Sequence, residues 1–576
     1  MAQEQETQHA LLVPWGHFAR EIGLLSGIEA IKLSQKVYEH TPQAKVIEFL
    51  VAILSGAKYL QDISLAAHPL DKDLAVAAAW GQAGWADYTG VSRTLSALSW
   101  AEAHEIVSVL ERVSQPFLDR ELSVMRSQGE RLQYDGDLTG LPVSNTSRTY
   151  PNAAFGYMGD EIRLGYQAGV VSLQSPTYGR LWLSVEHHAG DTVSCTQAEA
   201  MVMAAEKRSG RCPLRRTDLL QRRIEAFVQS REPAEKRLAS QRAALAAAQS
   251  AKQETVAQLQ EATNPKRIGV LERRCVRREK TVQLTMKKLG KTQALLSGHL
   301  EQEKALRKRL EQFEQENAEN PQPLEACFRL DAGFGTYDNI ALLIEMGYEV
   351  YVKLHNHKIV QMLKKKVTSE TAWVRVGNNA EMVSWAGLQL QHCPYPLDIA
   401  LERFYTGQTH TVPASFREKH SALAHFGKTP VTTDLPAWFG KYNARQTIEA
   451  GIKETKQVFY LHRLKVRSES AIYLQEAMTI FAANFIRWAT VWIDQHAEQN
   501  EHTLPLSKMG IKKQVRVAAH TSAKVIQNSE GMLLKFSPVS AFAGKQLFFP
   551  AQSRVRQQNY FSSFFTILAL IAQKLR

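Results

Sequence analysis

The sequence predicts an α/β protein in which a mixed-sheet core follows a helical N-terminal domain and is interrupted by a long helical hairpin. Three observations carry this. The hydrophobic period changes at Arg131, from helical spacing before it to strand-like segments after it. The stretch from Glu206 to Leu310 holds 26 Lys and Arg against 11 Asp and Glu with almost no aromatic residues, the composition of long solvated helices. Beyond Pro321 and Pro323, a strand, a glycine-containing turn, a helix and a second strand follow in order, which is a β-α-β unit.

Residues 1–130 read as helical. Apolar residues recur at helical spacing from Lys45 to Leu60, and again from Ser92 to Val113 with Ser92 as the N-cap. The glycine-rich GQAGWADYTGV before the second helix gives a loose helix-turn-helix likeness, which any packed helix pair also gives. DNA binding and a purely structural helical cap both fit this domain. In 131–207 the strands Arg131–Leu141, Glu161–Leu173 and Tyr178–His187 precede a helix from Gly190 to Lys207 opened by Asp191 and Thr192.

Segment 208–320 is the hairpin. Asn264 and Pro265 supply an N-cap and an N1 proline that divide it into two helices. Leu238, Leu245, Val256 and Leu259 on the first arm are expected to face Leu271, Leu284, Leu295 and Leu306 on the second. Its positive excess suits a grip on DNA, or a solvated coiled coil that spaces or dimerises. Residues 321–370 return to the core, with Asp338 as the N-cap of the helix Ile340–Met346. A small mixed β insertion spans 371–432. Core helices fill 433–500, including the long apolar Ala471–His496, and 501–576 forms a β-hairpin turned at NSEG and a final helix, Tyr560–Arg576.

Composition narrows the partners. A net charge of +13 over 576 residues favours an anionic partner, most simply nucleic acid. The five cysteines show no Cys-x-x-Cys pair, which argues against a zinc site or disulfide framework and suits a reducing compartment. The polar start MAQEQETQHA is unlike a secretory signal. No stretch reads as a membrane span: Ala471–Ile493 carries Glu476 and Arg487, and Phe564–Ala572 is too short.

Three motifs carry acidic chemistry. Leu132–Thr139 reads LQYDGDLT and places Asp135 and Asp137 on one face of a strand. Arg329–Phe334 reads RLDAGF, where a glycine lets the chain turn sharply after Asp331. Tyr442–Lys456 reads YNARQTIEAGIKETK, with Tyr442, Arg445, Glu449 and Lys456 at the spacing Y-x2-R-x3-E-x6-K. In one helix these four side chains form a polar stripe, with Ile448 and Ile452 turned to the core. By itself that stripe is also an ordinary i,i+4 ion-pair ladder.

Taken in order, the three motifs resemble the signature of bacterial DDE insertion-sequence transposases, proteins with an RNase H-like core. The resemblance covers about 131–207 and 325–500. It implies that Asp137 of a D-x-T element, Asp331 of an R-x-D-x-G-F element and Glu449 are catalytic and hold two Mg2+ or Mn2+ ions. Asp135 remains a rival for the first position. Oxygen ligands suit those ions, and two-metal phosphodiester chemistry requires carboxylates converging from distant points of the chain. Tyr442, Arg445 and Lys456 are then implied to brace the DNA backbone, Arg and Lys as phosphate-binding groups and the phenol as a donor.

The implied function is a transposase that binds double-stranded element ends, cleaves them and transfers the freed 3′-hydroxyls to target DNA. It would work as a homodimer in a synaptic complex, off the membrane, in the bacterial cytoplasm. The alternatives are a nuclease or resolvase without strand transfer, and a non-catalytic DNA-binding relative. In the best-understood members the large insertion is β-rich and follows the second Asp, whereas here the larger insertion precedes it. Trp373 and Trp385, in the segment that takes its place, are candidates for stacking on an extruded base or for interior packing.

Overall fold

A computed structural model describes residues 3–159, 161–405 and 418–551. The final helix expected over Tyr560–Arg576 lies outside these residues. The chain is mixed α/β, and among the described residues no helix is long and apolar enough to cross a membrane.

The first strand, β1 (Gln3–Thr7), is followed by seven helices: α1 (Leu12–Glu21), α2 (Leu24–Glu29), α3 (Pro42–Leu54), α4 (Asp62–Leu65), α5 (Leu74–Ala79), α6 (Tyr88–Ser96) and α7 (Trp100–Ser127). Ser92 is not an N-cap. Asp87 caps α6 by accepting from the Gly90 amide, and Ser99 starts a separate helix, where Ser99 and Glu102 form a reciprocal capping box. The local hydrogen-bonding option at Ser99 therefore breaks what periodicity alone reads as one helix.

The main sheet is built from β2 (Leu132–Pro142), β3 (Ala154–Met158), β4 (Glu161–Ser175), β5 (Gly179–Ala189), β6 (Ala326–Leu330), β7 (Glu349–Lys353), β8 (Val374–Arg375), β9 (Ala380–Leu388), β10 (Leu397–Tyr405) and β11 (Glu418–Phe426). Its central order is β5-β4-β2-β6-β7, with β2 antiparallel to β4, β4 antiparallel to β5, and β2, β6 and β7 mutually parallel. Segment 371–432, expected as a small mixed β insertion, adds strands to the same sheet: β11 runs antiparallel to β7, with Leu423 opposite Lys353, and β10, β9 and β8 follow. An open edge on β7 supplies unpaired backbone groups, so adding strands there satisfies both partners.

After β5 the chain makes a short turn at Ser194–Thr196 and enters α8 (Ala198–Ser209), later than the helix start expected at Asp191 and Thr192. That turn lies against the loop after β6, where a Cβ on Gly333 would stand 2.9 Å from the Cβ of Ser194. From there α8 runs down the sheet, and Glu206 near its end accepts from the Tyr348 hydroxyl just ahead of β7. The hairpin arms α9 (Thr217–Glu261) and α10 (Pro265–Glu319) meet at Asn264, whose side chain accepts from the Lys266 amide. Glu316 of α10 is bound by Arg215, which also holds Glu206, whereas Arg309 reaches Glu199 at the opposite end of α8. Traced backwards from its root, α10 thus climbs past the carboxyl end of β6 and projects beyond it.

Within the hairpin the expected seam is partly wrong. Leu271 and Leu306 are buried, but Leu284 and Leu295 are 52% and 50% exposed, and Val256 is also exposed. The buried positions of α10 are Leu271, Val282, Thr292, Leu296, Leu306 and Phe313, and these fall on a seven-residue repeat that Leu284 and Leu295 miss. Polar residues occupy part of this seam, which hides its register from a reading based on leucines alone.

The β-α-β unit is β6, α11 (Tyr337–Glu345) and β7, followed by α12 (His357–Lys366). Thr336 caps α11 by accepting from Asn339; Asp338 lies inside the first turn and is not the cap. Next come α13 (Leu435–Asn443), α14 (Gln446–Val458) and the buried α15 (Glu469–His496), which packs beneath the sheet. Asn484 clips α15 to β5, accepting from the Trp182 amide at 2.9 Å and donating to its carbonyl at 2.8 Å. The short α16 (Ile511–Arg516) and a single turn at Ala518–His520 follow. A second sheet closes the chain, with β12 (Ala523–Asn528), β13 (Gly531–Phe536) and β14 (Gln546–Pro550). Asn528 accepts from Glu530 and Gly531 in the NSEG turn. One edge of this sheet is β1, paired from Gln3 with Gln527 to Thr7 with Ala523, so the first residues join the last sheet, and Thr7 links it to the helices by donating to Asp73 at 2.7 Å.

Candidate active site

Parallel pairing sets Asp135 opposite Arg329, and two residues further along the neighbouring strands stand Asp137 and Asp331. The two aspartates of β2 have different fates. Asp135 is 1% exposed, and both of its oxygens accept from Arg329, Oδ1 from Nε and Oδ2 from Nη2, each at 2.7 Å. Such a bidentate pair consumes the carboxylate. Arg329 is completed by the side-chain oxygens of Gln174 (3.0 Å) and Gln133 (3.2 Å) and by the carbonyl of Lys441 (3.1 Å). Asp137 is free of Arg329: its Oδ1 accepts from the Leu138 amide at 2.8 Å, and its Oδ2 lies 3.1 Å from Nη2 of Arg445.

Asp331 follows the last residue of β6 and folds over its own turn, Oδ1 accepting from the Gly333 amide at 2.9 Å. The glycine is needed because Ser194 closes the space where a side chain would sit. Glu449 comes from the first turn of α14 and pairs with Nη1 of Arg445 at 2.9 Å. One guanidinium therefore joins the first and third carboxylates. Buried Nε and Nη2 atoms of Arg445 have no well-formed hydrogen bond of their own.

The polar stripe expected on one helix is carried by two. α13 ends at Asn443, a turn holds Ala444 and Arg445, and α14 begins at Gln446. Tyr442 closes the first helix, Arg445 is the N-cap residue of the second, and Lys456 lies in its last turn. Ile448 is fully buried and Ile452 packs against the core, so the inward face is as the spacing implies.

Electrostatics define a strained cluster. Burial, then repulsion by Asp331 and Glu449, pushes Asp137 up to about 6 against the pull of Arg445. Burial disfavours the Arg445 charge, but Asp137, Asp331 and Glu449 outweigh it and hold the guanidinium more firmly protonated than usual. Lys456 is shifted down by burial, with Asp137 opposing. The Tyr442 hydroxyl is pushed up by burial, then by the charges of Asp331, Glu402 and Glu449 acting against Arg445.

Asp331, Tyr442, Arg445 and Glu449 line one cleft of about 500 Å³, and Lys353 and Glu402 line it too. Sequence motifs do not single out these last two. The available signal for Lys353 is its place at the carboxyl end of β7, next to Asp331 on the neighbouring parallel strand, where open sheets place their ligands. Glu402 lies on β10 and accepts from the Ser421 hydroxyl, a placement that depends on how β11 joins β7. Trp373 is half-buried with the Arg403 guanidinium 4.1 Å from its ring centre, and Trp385 is half-buried against the core.

A hard divalent cation fits this donor set in its chemistry, since three carboxylates feel one another's charge and one of them has a raised proton affinity. Among the described residues, no group of three or more His, Cys, Asp or Glu stands at metal-holding spacing, and Arg445 occupies the neutralising position. A scan against protein-family models finds no match to the chain, and a search of curated proteins finds no significant relative.

Proposed function

We propose that the chain is a DNA transposase of the DDE type with an RNase H-like core. The observation that carries this reading is that Asp137 in the middle of β2 stands level with Asp331 just past the end of the parallel β6, and that Arg445 joins Asp137 to Glu449 on α14. The strand order β5-β4-β2-β6-β7, three antiparallel strands followed by two parallel ones, supports the core assignment. Asp137, Asp331 and Glu449 would hold Mg2+ or Mn2+, which when bound activates the attacking oxygen and stabilises the leaving one.

The chain's own residues supply binding and orientation. Arg445, buried with unused donors, offers a fork to a phosphate that displaces one of its carboxylate partners. Tyr442 keeps its proton at all working pH values and donates to a backbone oxygen from the cleft wall. Lys456, close enough to Asp137 for their charges to interact, adds a point charge. Asp135 acts indirectly, by fixing Arg329.

Incubation of the purified protein with a labelled element end and supercoiled plasmid in Mg2+ tests the reading. Joined product is expected, and Asp331→Asn and Glu449→Gln should remove both cleavage and joining without loss of fold. Cleavage with no joined product would point instead to a nuclease or resolvase, and unchanged cleavage in the two variants would overturn the site.

A further inference from the structure

The charge of the helical hairpin is concentrated on one side of one arm. From Pro265 to Leu300, α10 carries ten Lys and Arg against two Glu, while the whole of α9 carries seven against six acidic residues. All ten cations are exposed. Among the described residues none of them lies within ion-pair distance of a carboxylate, and Glu279, one of the two acids, is taken by Lys252 of α9. Charges that stabilised the hairpin itself would be paired at i,i+4 or across the seam, as Arg231 is with Glu235 and Glu303 nearer the root.

Their spacing is regular. Lys266, Arg273, Lys280 and Lys287 recur every seven residues, the same repeat as the buried seam positions Leu271 and Val282 but on the opposite side of the helix. Arg274, Arg277 and Lys288 flank them. The result is an outward ridge of cations about 10 Å apart along the axis, on a rod anchored to the catalytic sheet through Arg215, Glu206 and Glu316. Because α10 climbs past Glu199 and beyond the carboxyl end of β6, this ridge projects past the end of the sheet where Asp331 stands, although α8 packs on the face of Gly136 and Asp137 points to the opposite face.

A linear row of unpaired cations matches an extended anion and not a point ligand. A nucleic-acid duplex presents one charge per about 1.7 Å of axis, and phosphate neutralisation needs no fixed base contacts. A lipid surface is less suited, because the exposed Val270, Val276, Leu284, Met286 and Leu295 are scattered over several faces of the helix with cations between them and form no continuous apolar stripe. A second copy of the same ridge would meet like charge.

We infer that the outward face of α10 is a sequence-independent duplex-binding ridge that holds DNA flanking the cleavage site. This rests on the proposed action on DNA and adds a second contact region, remote from the carboxylates.

The test uses the full chain with a fluorescein-labelled random-sequence duplex, following affinity by anisotropy across a KCl series. Changing Lys266, Arg273, Lys280 and Lys287 together to Gln should weaken binding at least tenfold at low salt and flatten the slope of log K against log salt by about 2 to 4. The α9 control, Arg222, Lys236, Arg237 and Arg242 together to Gln, should change the slope by less than about 1. Melting by circular dichroism checks that both variants fold. An unchanged slope in a folded α10 variant, an equal loss in the α9 control, or loss of binding to phosphatidylserine vesicles with duplex binding intact would each overturn the inference. Wild-type protein that binds duplex through α10 but neither cuts nor joins DNA would sink the transposase reading and leave this one standing. Wild-type protein that cuts and joins while the α10 variant binds normally would do the reverse.

Discussion

Arg329 donates from Nη1 to the carbonyl of Lys441, 3.1 Å away, and so occupies the acceptor that an unbroken helix would offer to the amide of Arg445. That amide turns instead to the carbonyl of Tyr442. The chain breaks between α13 and α14, and the break swings Arg445 inward until it reaches Asp137 and Glu449. A buried ion pair between β2 and β6 thus sets the geometry of a cleft residue more than a hundred positions away.

Removing one member of that pair should be costly. Arg329→Met leaves Asp135 as a buried unpaired charge and should destabilise the protein by about 3–5 kcal/mol, while the double variant with Asp135→Leu should recover most of it. Urea denaturation of the two single variants and the double checks the coupling. Activity should not return with stability, because Lys441 remains unbound and the helix break is no longer held.

The raised proton affinity of Asp137 predicts a trade between stability and activity. A carboxyl held at about 6 when folded, against an ordinary value near 3.8, is uncharged in the folded state and charged in the unfolded chain between those values. Stability therefore falls as pH rises through that window. Asp137→Asn, which has no such charge, should be more stable than wild type at pH 8 by about 1–3 kcal/mol, the advantage disappearing below about pH 4. Thermal melts at the two pH values measure it. Cleavage by the same variant should be lost at both.

Tyr442 and Lys456 should matter by degree. Tyr442→Phe removes one hydrogen bond to a charged oxygen and should slow single-turnover cleavage by about tenfold, the equivalent of roughly 1.5 kcal/mol. Lys456→Gln should weaken DNA binding and reduce the salt slope by about 1 without abolishing chemistry. Equal, complete loss in both would place them among the residues that chemistry cannot do without.

Asn484 offers a test of the scaffold. Its amide satisfies both backbone groups of Trp182 at the irregular step in the β4–β5 pairing, and Asn484→Leu strands a buried donor and acceptor. A loss of about 2–4 kcal/mol is expected. Chemical denaturation reads it directly, and weaker protection of the Trp182 amide in hydrogen exchange locates it.

What was legible in the sequence was what depends on neighbours along the chain. Alternation after Arg131, the Asn-Pro corner at Asn264 and the strand-turn-helix around Asp331 follow from local propensity and spacing, which act over a few residues. The capping box at Ser99 was local too, but it competes with periodicity, and the stronger hydrophobic signal concealed it. The polar seam of the hairpin misled for a related reason: Thr292 is buried at a position where leucine spacing points to Leu295.

Tertiary structure decided everything that requires distant segments to meet. Asp135 and Asp137 are equivalent by sequence, both acidic and on one strand face. They separate because Arg329, on the neighbouring strand, donates from Nε and Nη2 to the two oxygens of Asp135. Lys353 and Glu402 enter the cleft only because β11 adds to the edge of β7. The four residues of the Tyr442–Lys456 stretch share a face in an ideal helix. The real chain keeps Tyr442, Arg445 and Glu449 in one cleft across a helix break, because the carbonyl that would have continued the helix is held by a buried guanidinium.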